Sequence, residues 1–209
     1  MSSLTRAAVA ATIMAISLAG CAAKPASPTH QAKASASSTP SAGSTAAKAA
    51  PVEKNPPGDI PDNIAYVSYA NASGHYTFKH PEGWASTVTG VKVVFTDKLN
   101  GVTCSEAGAT AAPTVSSANS NDVPKLRSTM AAFELRRVSA AKLPAGSGVL
   151  IVYRRNSAPD AVTGKVFRDE VQRYEIYANG REITLELYGA VGSDNVDPYR
   201  IMAQSLHIA

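Results

Sequence analysis

The chain is poor in several things that would reveal a function directly. It has two cysteines, Cys21 and Cys104, which excludes a disulfide framework. Aromatic residues make up 6%, with a single tryptophan, Trp84. No mid-chain apolar run reaches the ~20 residues of a membrane-spanning helix. No Gly-x-Ser-x-Gly elbow, His-Glu-x-x-His pair or phosphate loop ending Gly-Lys-Ser/Thr occurs. Gly146-Ser147-Gly148 precedes an apolar run rather than following one, so it reads as a tight start to a strand and not as a dinucleotide loop. The net charge of +4 also loses its suggestion of nucleic acid once the charges are located. From Asp59 onward there are 15 Lys plus Arg against 15 Asp plus Glu. A duplex-binding domain concentrates positive charge to neutralise phosphates, and this one has no net excess.

What is present begins at the N-terminus. Arg6 supplies a positive region, and Ala7 to Ala19 is apolar apart from Thr12 and Ser17. This is the pattern of a cleavable export signal. Its ending, Leu18-Ala19-Gly20-Cys21, resembles the lipobox of bacterial lipoproteins. The resemblance implies that residues 1–20 are removed as a signal peptide and that Cys21 is lipidated. The thiol would carry diacylglycerol and the new amino group an acyl chain such as palmitate. Small residues before the cysteine let the peptidase reach the bond. Each buried CH₂ contributes ~0.8 kcal/mol, so a diacylglyceryl group holds a protein to a membrane where one chain does so only marginally. The expected location is the outer face of the cell membrane. Cys104 is then left without an intrachain partner and is expected to pack as a small hydrophobe.

Residues 21–58 form the expected flexible linker. Ala22 to Gly58 has no Phe, Tyr, Trp, Ile, Leu or Met and is interrupted by prolines. Such a segment buries too little apolar surface to offset its ordering entropy. A flexible chain of that length spans roughly 35 Å.

Residues 59–209 carry the folding signals. Strands are expected at Ile64 to Tyr69, His75 to Lys79, Val91 to Phe95 and briefly at Gly101 to Cys104. Tyr76 and Phe78 share one face, and Pro81-Glu82-Gly83 turns the chain into Trp84. Ala107 to Asn121 reads as a loop with a short strand at Thr114 to Ser116. Asp122 reads as an N-cap with Pro124 in the first turn, and Val123, Leu126, Met130 and Phe133 as an apolar helical face. Val149 to Tyr153 is a buried strand, and Val166 to Tyr177 a longer one with a bulge. Asn179-Gly180 is a hairpin turn. After it Ile183, Leu185 and Leu187 alternate with Glu182, Thr184 and Glu186, which face solvent. Asp194 or Asp197 caps a last helix with an inner stripe of Val196, Tyr199, Met202 and Leu206. The sum is an α+β domain: an antiparallel sheet of about six strands flanked by helices.

Tyr76-Thr77-Phe78 followed by His80-Pro81-Glu82-Gly83-Trp84 resembles the opening of the PsbP-like (Mog1/PsbP) fold. The stretches Tyr153 to Lys165 and Asp194 to Pro198 resemble a group of uncharacterised actinobacterial lipoproteins. The first resemblance implies an accessory or binding role rather than catalysis. Neither implies a cofactor or metal.

The chemistry-bearing residues support no reaction by themselves. His75 and His80 flank Phe78 five residues apart, so they point to opposite faces and lack a third ligand. His30 lies in the linker and His207 near the C-terminus. Arg154, Arg168, Arg173 and Glu175 read either as a polar groove or as cross-strand ion pairs on an exposed face; alternating signs favour the pairs. The loop of Asn156, Pro159, Asp160, Gly164 and Lys165 is the candidate binding loop. Pro159, Asp160 and Gly164 equally suit a plain structured turn. The expected function is a membrane-anchored, non-catalytic, monomeric binding or accessory module with an envelope protein or cell-wall partner. The alternatives are an envelope hydrolase built around Asp160, His80 or Asp194, and an accessory subunit of a membrane transporter.

Overall fold

The computed structural model describes residues 47–52 and 58–209. The leader, Cys21 and most of the linker lie outside the described residues. The folded part holds two antiparallel sheets.

The three-stranded sheet has the order β1-β2-β10, built from β1 (Tyr66–Asn71), β2 (Tyr76–Pro81) and β10 (His207–Ile208). The seven-stranded sheet has the order β3-β4-β5-β9-β8-β7-β6. Its strands are β3 (Ala85–Thr89), β4 (Lys92–Asp97), β5 (Asn100–Gly108), β6 (Glu134–Leu143), β7 (Gly146–Asn156), β8 (Arg168–Ala178) and β9 (Arg181–Ala190).

Between β5 and β6 runs a helical segment of α1 (Val115–Ser117), a π turn (Ala118–Asp122) and α2 (Val123–Thr129). The last helix is α3 (Val196–Gln204).

Alternation along each strand sorts the side chains to two faces. One face of the large sheet turns Ile183, Leu185, Leu187, Ile176, Val102, Cys104, Val93 and Phe95 toward the small sheet and α3. Tyr76 and Phe78 of β2 and Met202 and Leu206 of the C-terminal segment complete this core. Burying side chains of this size stabilises by ~1.5–3 kcal/mol each. The other face presents Val149, Ile151, Tyr153 and Val171 to Ala118, Val123 and Leu126 of the helical segment.

Several expectations are corrected. Among the described residues the sheets hold ten strands rather than about six, and helix plays a smaller part than in a sheet flanked by helices. β3 and β6 went unread because both are sheet edges. All five residues of β3 are exposed, and β6 interleaves charged and small residues, so neither shows a buried period.

Thr114 to Ser116 is no strand. Thr114 is an N-cap in a capping box with Ser117, so the helical segment starts eight residues before the expected cap Asp122. That segment ends at Thr129, with Met130 already extended. Met130 and Phe133 still pack on the second core, but from outside the helix. The bulge lies in β6, between Leu135 and Arg137, while β8 is in continuous register with both neighbours.

The N-cap of α3 is Asn195, and its side chain makes no capping bond. Instead its Oδ1 accepts from Ile60 N (2.8 Å) and its Nδ2 donates to Asn100 Oδ1 (2.9 Å). Val196 is 70% exposed and lies outside the inner stripe. Cys104 is fully buried, and Tyr76 donates its hydroxyl to the Cys104 carbonyl. Asn179 and Gly180 both adopt positive φ, 54° and 75°, the twist that a two-residue hairpin between Ala178 and Arg181 requires.

Candidate functional site

The β7–β8 connection is a structured loop. Ser157 N donates to Phe167 O (2.9 Å) and Phe167 N to Ser157 Oγ (3.0 Å), closing its base. Asp160 N donates to Lys165 O, and Gly164 N to Asp160 O. The Asp160 carboxylate accepts from Val162 N (3.1 Å), Thr163 N (2.8 Å) and Thr163 Oγ1 (2.8 Å). These bonds, led by the Thr163 amide, hold its carboxyl below the usual aspartate value. Gly164, at φ 68°, makes the left-handed step that an L side chain resists. Asp160 and Gly164 therefore shape the loop. Pro159 is exposed within it, and Lys165 Nζ lies 5.0 Å over the Phe167 ring.

Opposite the loop stands the two-residue turn between β4 and β5, Lys98 and Leu99. The loop and the turn wall a groove of about 370 Å³, with Leu99 and Phe167 as its apolar lining and Thr163 and Asp160 along its rim. It continues into a smaller pocket of about 110 Å³, floored by Asp169 and Tyr188. Gly101 pairs with Tyr188, and a methyl there would collide with the Tyr188 ring. The missing side chain thus lets the tyrosine lie flat across β5.

Asp169 is nearly buried, with its side chain 4% exposed and Arg155 Nε 3.8 Å away. Burial raises its carboxyl to about 6 against the pull of that guanidinium. Arg155 in turn stacks 5.1 Å over the Tyr188 ring. The floor therefore offers a carboxyl that changes charge near neutrality beside two aromatic rings.

Of the expected loop residues, Asp160 and Lys165 line the groove, and Gly164 sets the loop's path. Asn156 stands at the loop's base with a different task. Its Nδ2 donates to Lys48 O (2.9 Å) and its Oδ1 accepts from Ala50 N (2.9 Å). Leu99, Phe167, Asp169 and Tyr188 were missed because no spacing links them; only strand register brings them together.

The charged set separates rather than forming one groove. Arg154 pairs with its cross-strand neighbour Glu170 (3.0 Å), and Arg168 with Glu134 (2.8 Å). Arg173 binds Glu175 (2.6 Å) and Glu186 (3.2 Å). The ion pairs are present, but the residues share no single exposed face: the Glu175 side chain is 1% accessible, whereas Glu170, the partner of Arg154, is 42% accessible.

His80 is buried, stacked on Phe95 at 3.7 Å between centroids, with Nδ1 2.9 Å from Pro81 O. Burial lowers its basicity. Asp194 stands before α3, its amide donating to Asp59. Neither lines the groove that Asp160 borders. No group of three or more His, Cys, Asp or Glu side chains placed to hold a metal occurs among the described residues.

The fold and the groove define an antiparallel two-sheet α+β domain with a loop-walled cleft at one end of its larger sheet. No protein-family model matches the chain, and no curated protein matches it in sequence. Among solved structures, the chain is similar to the Saccharomyces cerevisiae Ran-binding protein Mog1p. Identity is 7% and the TM-score 0.44, over 70% of this chain and 96% of that one. It is also similar to LpqN, involved in cell envelope biogenesis of Mycobacterium tuberculosis. There identity is 13% and the TM-score 0.44, over 71% and 92% of the two chains. A Bacteroides thetaiotaomicron protein gives 9% identity and a TM-score of 0.43 over 68% of this chain. The chain spans about half, 48%, of that protein's length.

Proposed function

We propose that this protein is an extracytoplasmic lipoprotein, anchored through Cys21, whose domain is a non-catalytic binding or accessory module of Mog1/PsbP-like fold. The lipobox residues support the anchor, and the Tyr76–Pro81 strand running into the Gly83 turn supports the fold. The single observation that carries the binding reading is the groove between the Lys98–Leu99 turn and the β7–β8 loop. Its volume, about 370 Å³, lies in the range of small-ligand sites. Its wall is a loop whose central carboxylate is committed to holding shape, which suits recognition by a pre-formed surface. The hydrolase alternative is disfavoured in its stated form, because Asp160, His80 and Asp194 do not converge on one cavity.

The experiment is a pull-down from envelope extract with the intact lipoprotein, run beside Asp160→Ala and Leu99→Glu. Asp160→Ala removes the acceptor of three loop bonds, and Leu99→Glu puts a charge on the opposite wall. Loss of the same partner by both variants is the expected result. A partner retained by both removes the groove as the binding face. In the same cells Cys21→Ala is expected to leave the membrane fraction; persistence there ends the lipid-anchor reading.

A further inference from the structure

Three asparagines from separate elements hold the chain segment that precedes β1. Asn156, the last residue of β7, bonds Lys48 O and Ala50 N with the two ends of its carboxamide. Asn195, before α3, accepts from Ile60 N and donates to Gly58 O (3.1 Å). Asn100, the first residue of β5, donates to Gly58 O (2.7 Å). A carboxamide carries a donor and an acceptor, as a peptide group does, so Asn156 pairs with Lys48 and Ala50 as a neighbouring strand would. Such bonds grip backbone alone, which fits a stretch where Ala47, Ala49 and Ala50 offer no polar side chain. Asn156 is itself fixed, its amide donating to Ala131 O (2.8 Å).

All these grips lie at one end of the seven-stranded sheet. Asn156 pairs with Arg168, Asp169 with Ala190, and Tyr188 with Gly101 beside Asn100. The same end carries the groove floored by Asp169 and Tyr188.

We infer that Asn156 is a docking site for the protein's own stalk, and that the docked stalk turns the groove end toward the membrane. The inference rests on the lipid-anchor reading. Its consequence is that the groove's partner is met at the membrane surface rather than at the far side of the envelope.

The test uses the full-length lipoprotein in vesicles containing nitroxide lipid. A fluorophore is placed by Lys98→Cys at the groove end or by Thr110→Cys, beside Gly180 at the opposite end. Cys104 is buried and Cys21 is blocked by lipid. Quenching at position 98 should exceed that at 110 at least twofold. Asn156→Ala should erase the difference. So should Ala50→Pro, which removes the stalk's donor without altering the domain. The Ala50 amide should exchange hydrogen at least tenfold faster in Asn156→Ala. Equal quenching at both positions in the otherwise unsubstituted chain overturns the docking and leaves the anchor standing. A difference that survives both variants, or an unchanged Ala50 exchange rate, overturns it too. Absence of quenching at both positions in protein that still floats with the vesicles overturns the docking and leaves the anchor standing; loss of flotation removes the anchor itself.

Discussion

On one face of the large sheet Ile183, Leu185 and Leu187 meet Phe78, Phe95 and Met202, with no ion pair among them. On the other face Val149, Ile151 and Tyr153 pack under the helical segment, and beside them Arg173 is held between Glu175 and Glu186. Tyr153 donates its hydroxyl to the same Glu186 oxygen (2.7 Å). The strands are shared, so the difference is set by what covers each face. The first is covered over β4, β5 and β9 by a sheet and a helix that bury its apolar residues, and its Arg154–Glu170 pair stands outside that cover, partly exposed. The second is covered by a short, irregular segment broken by a π turn, which leaves polar chemistry room inside. A dry face gains from area buried. A face with buried charge gains only if every charge keeps its partner.

Substitutions can break this contrast in order of expected size. Phe78→Ala, at 1% exposure in the dry face, should cost about 4 kcal/mol in urea unfolding. Arg173→Met should cost about 3 kcal/mol by leaving two carboxylates unpaired. Replacing Arg173, Glu175 and Glu186 together with Met, Leu and Leu should recover much of that loss. If the triple variant is worse than the single one, the network is a net stabiliser and the contrast weakens.

Asp169 gives a pH-dependent test. In the folded chain it stays protonated up to about pH 6, whereas its ordinary value is 3.8. Between these limits the folded state holds a proton that the unfolded state has released. Stability therefore falls as pH rises through the window and levels off above about 6. Asp169→Asn should flatten this slope, and wild type should lose on the order of 2–3 kcal/mol relative to the variant from pH 4 to 7. A parallel pH profile for the two proteins would show that Asp169 ionises normally. The smallest effect belongs to Val196→Ser, expected within about 0.5 kcal/mol because the side chain is exposed.

Legibility followed burial. The β9 alternation was readable because Ile183, Leu185 and Leu187 are wholly buried. The opposite set was misread as solvated, since Glu186 is 13% exposed and bonded on the inner side of the helical segment. The loop after Asn156 was readable from its proline, aspartate and glycine, whose local preferences the structure uses directly. Half of the groove was not, because Leu99, Phe167, Asp169 and Tyr188 belong to three different strand ends.

Sequence alone determined the resemblance of residues 18–21 to a lipobox, the antiparallel character of the domain, the Asn179-Gly180 turn and the structured loop. Each of these is local: a peptidase pattern, a two-residue period or a backbone angle written in neighbouring residues. Tertiary structure alone decided the two edge strands, the buried ion pairs and the groove floor. It also decided the grip of three asparagines on the incoming chain. Those depend on register across strands far apart in sequence, where one amide meets another because the sheet between them has closed.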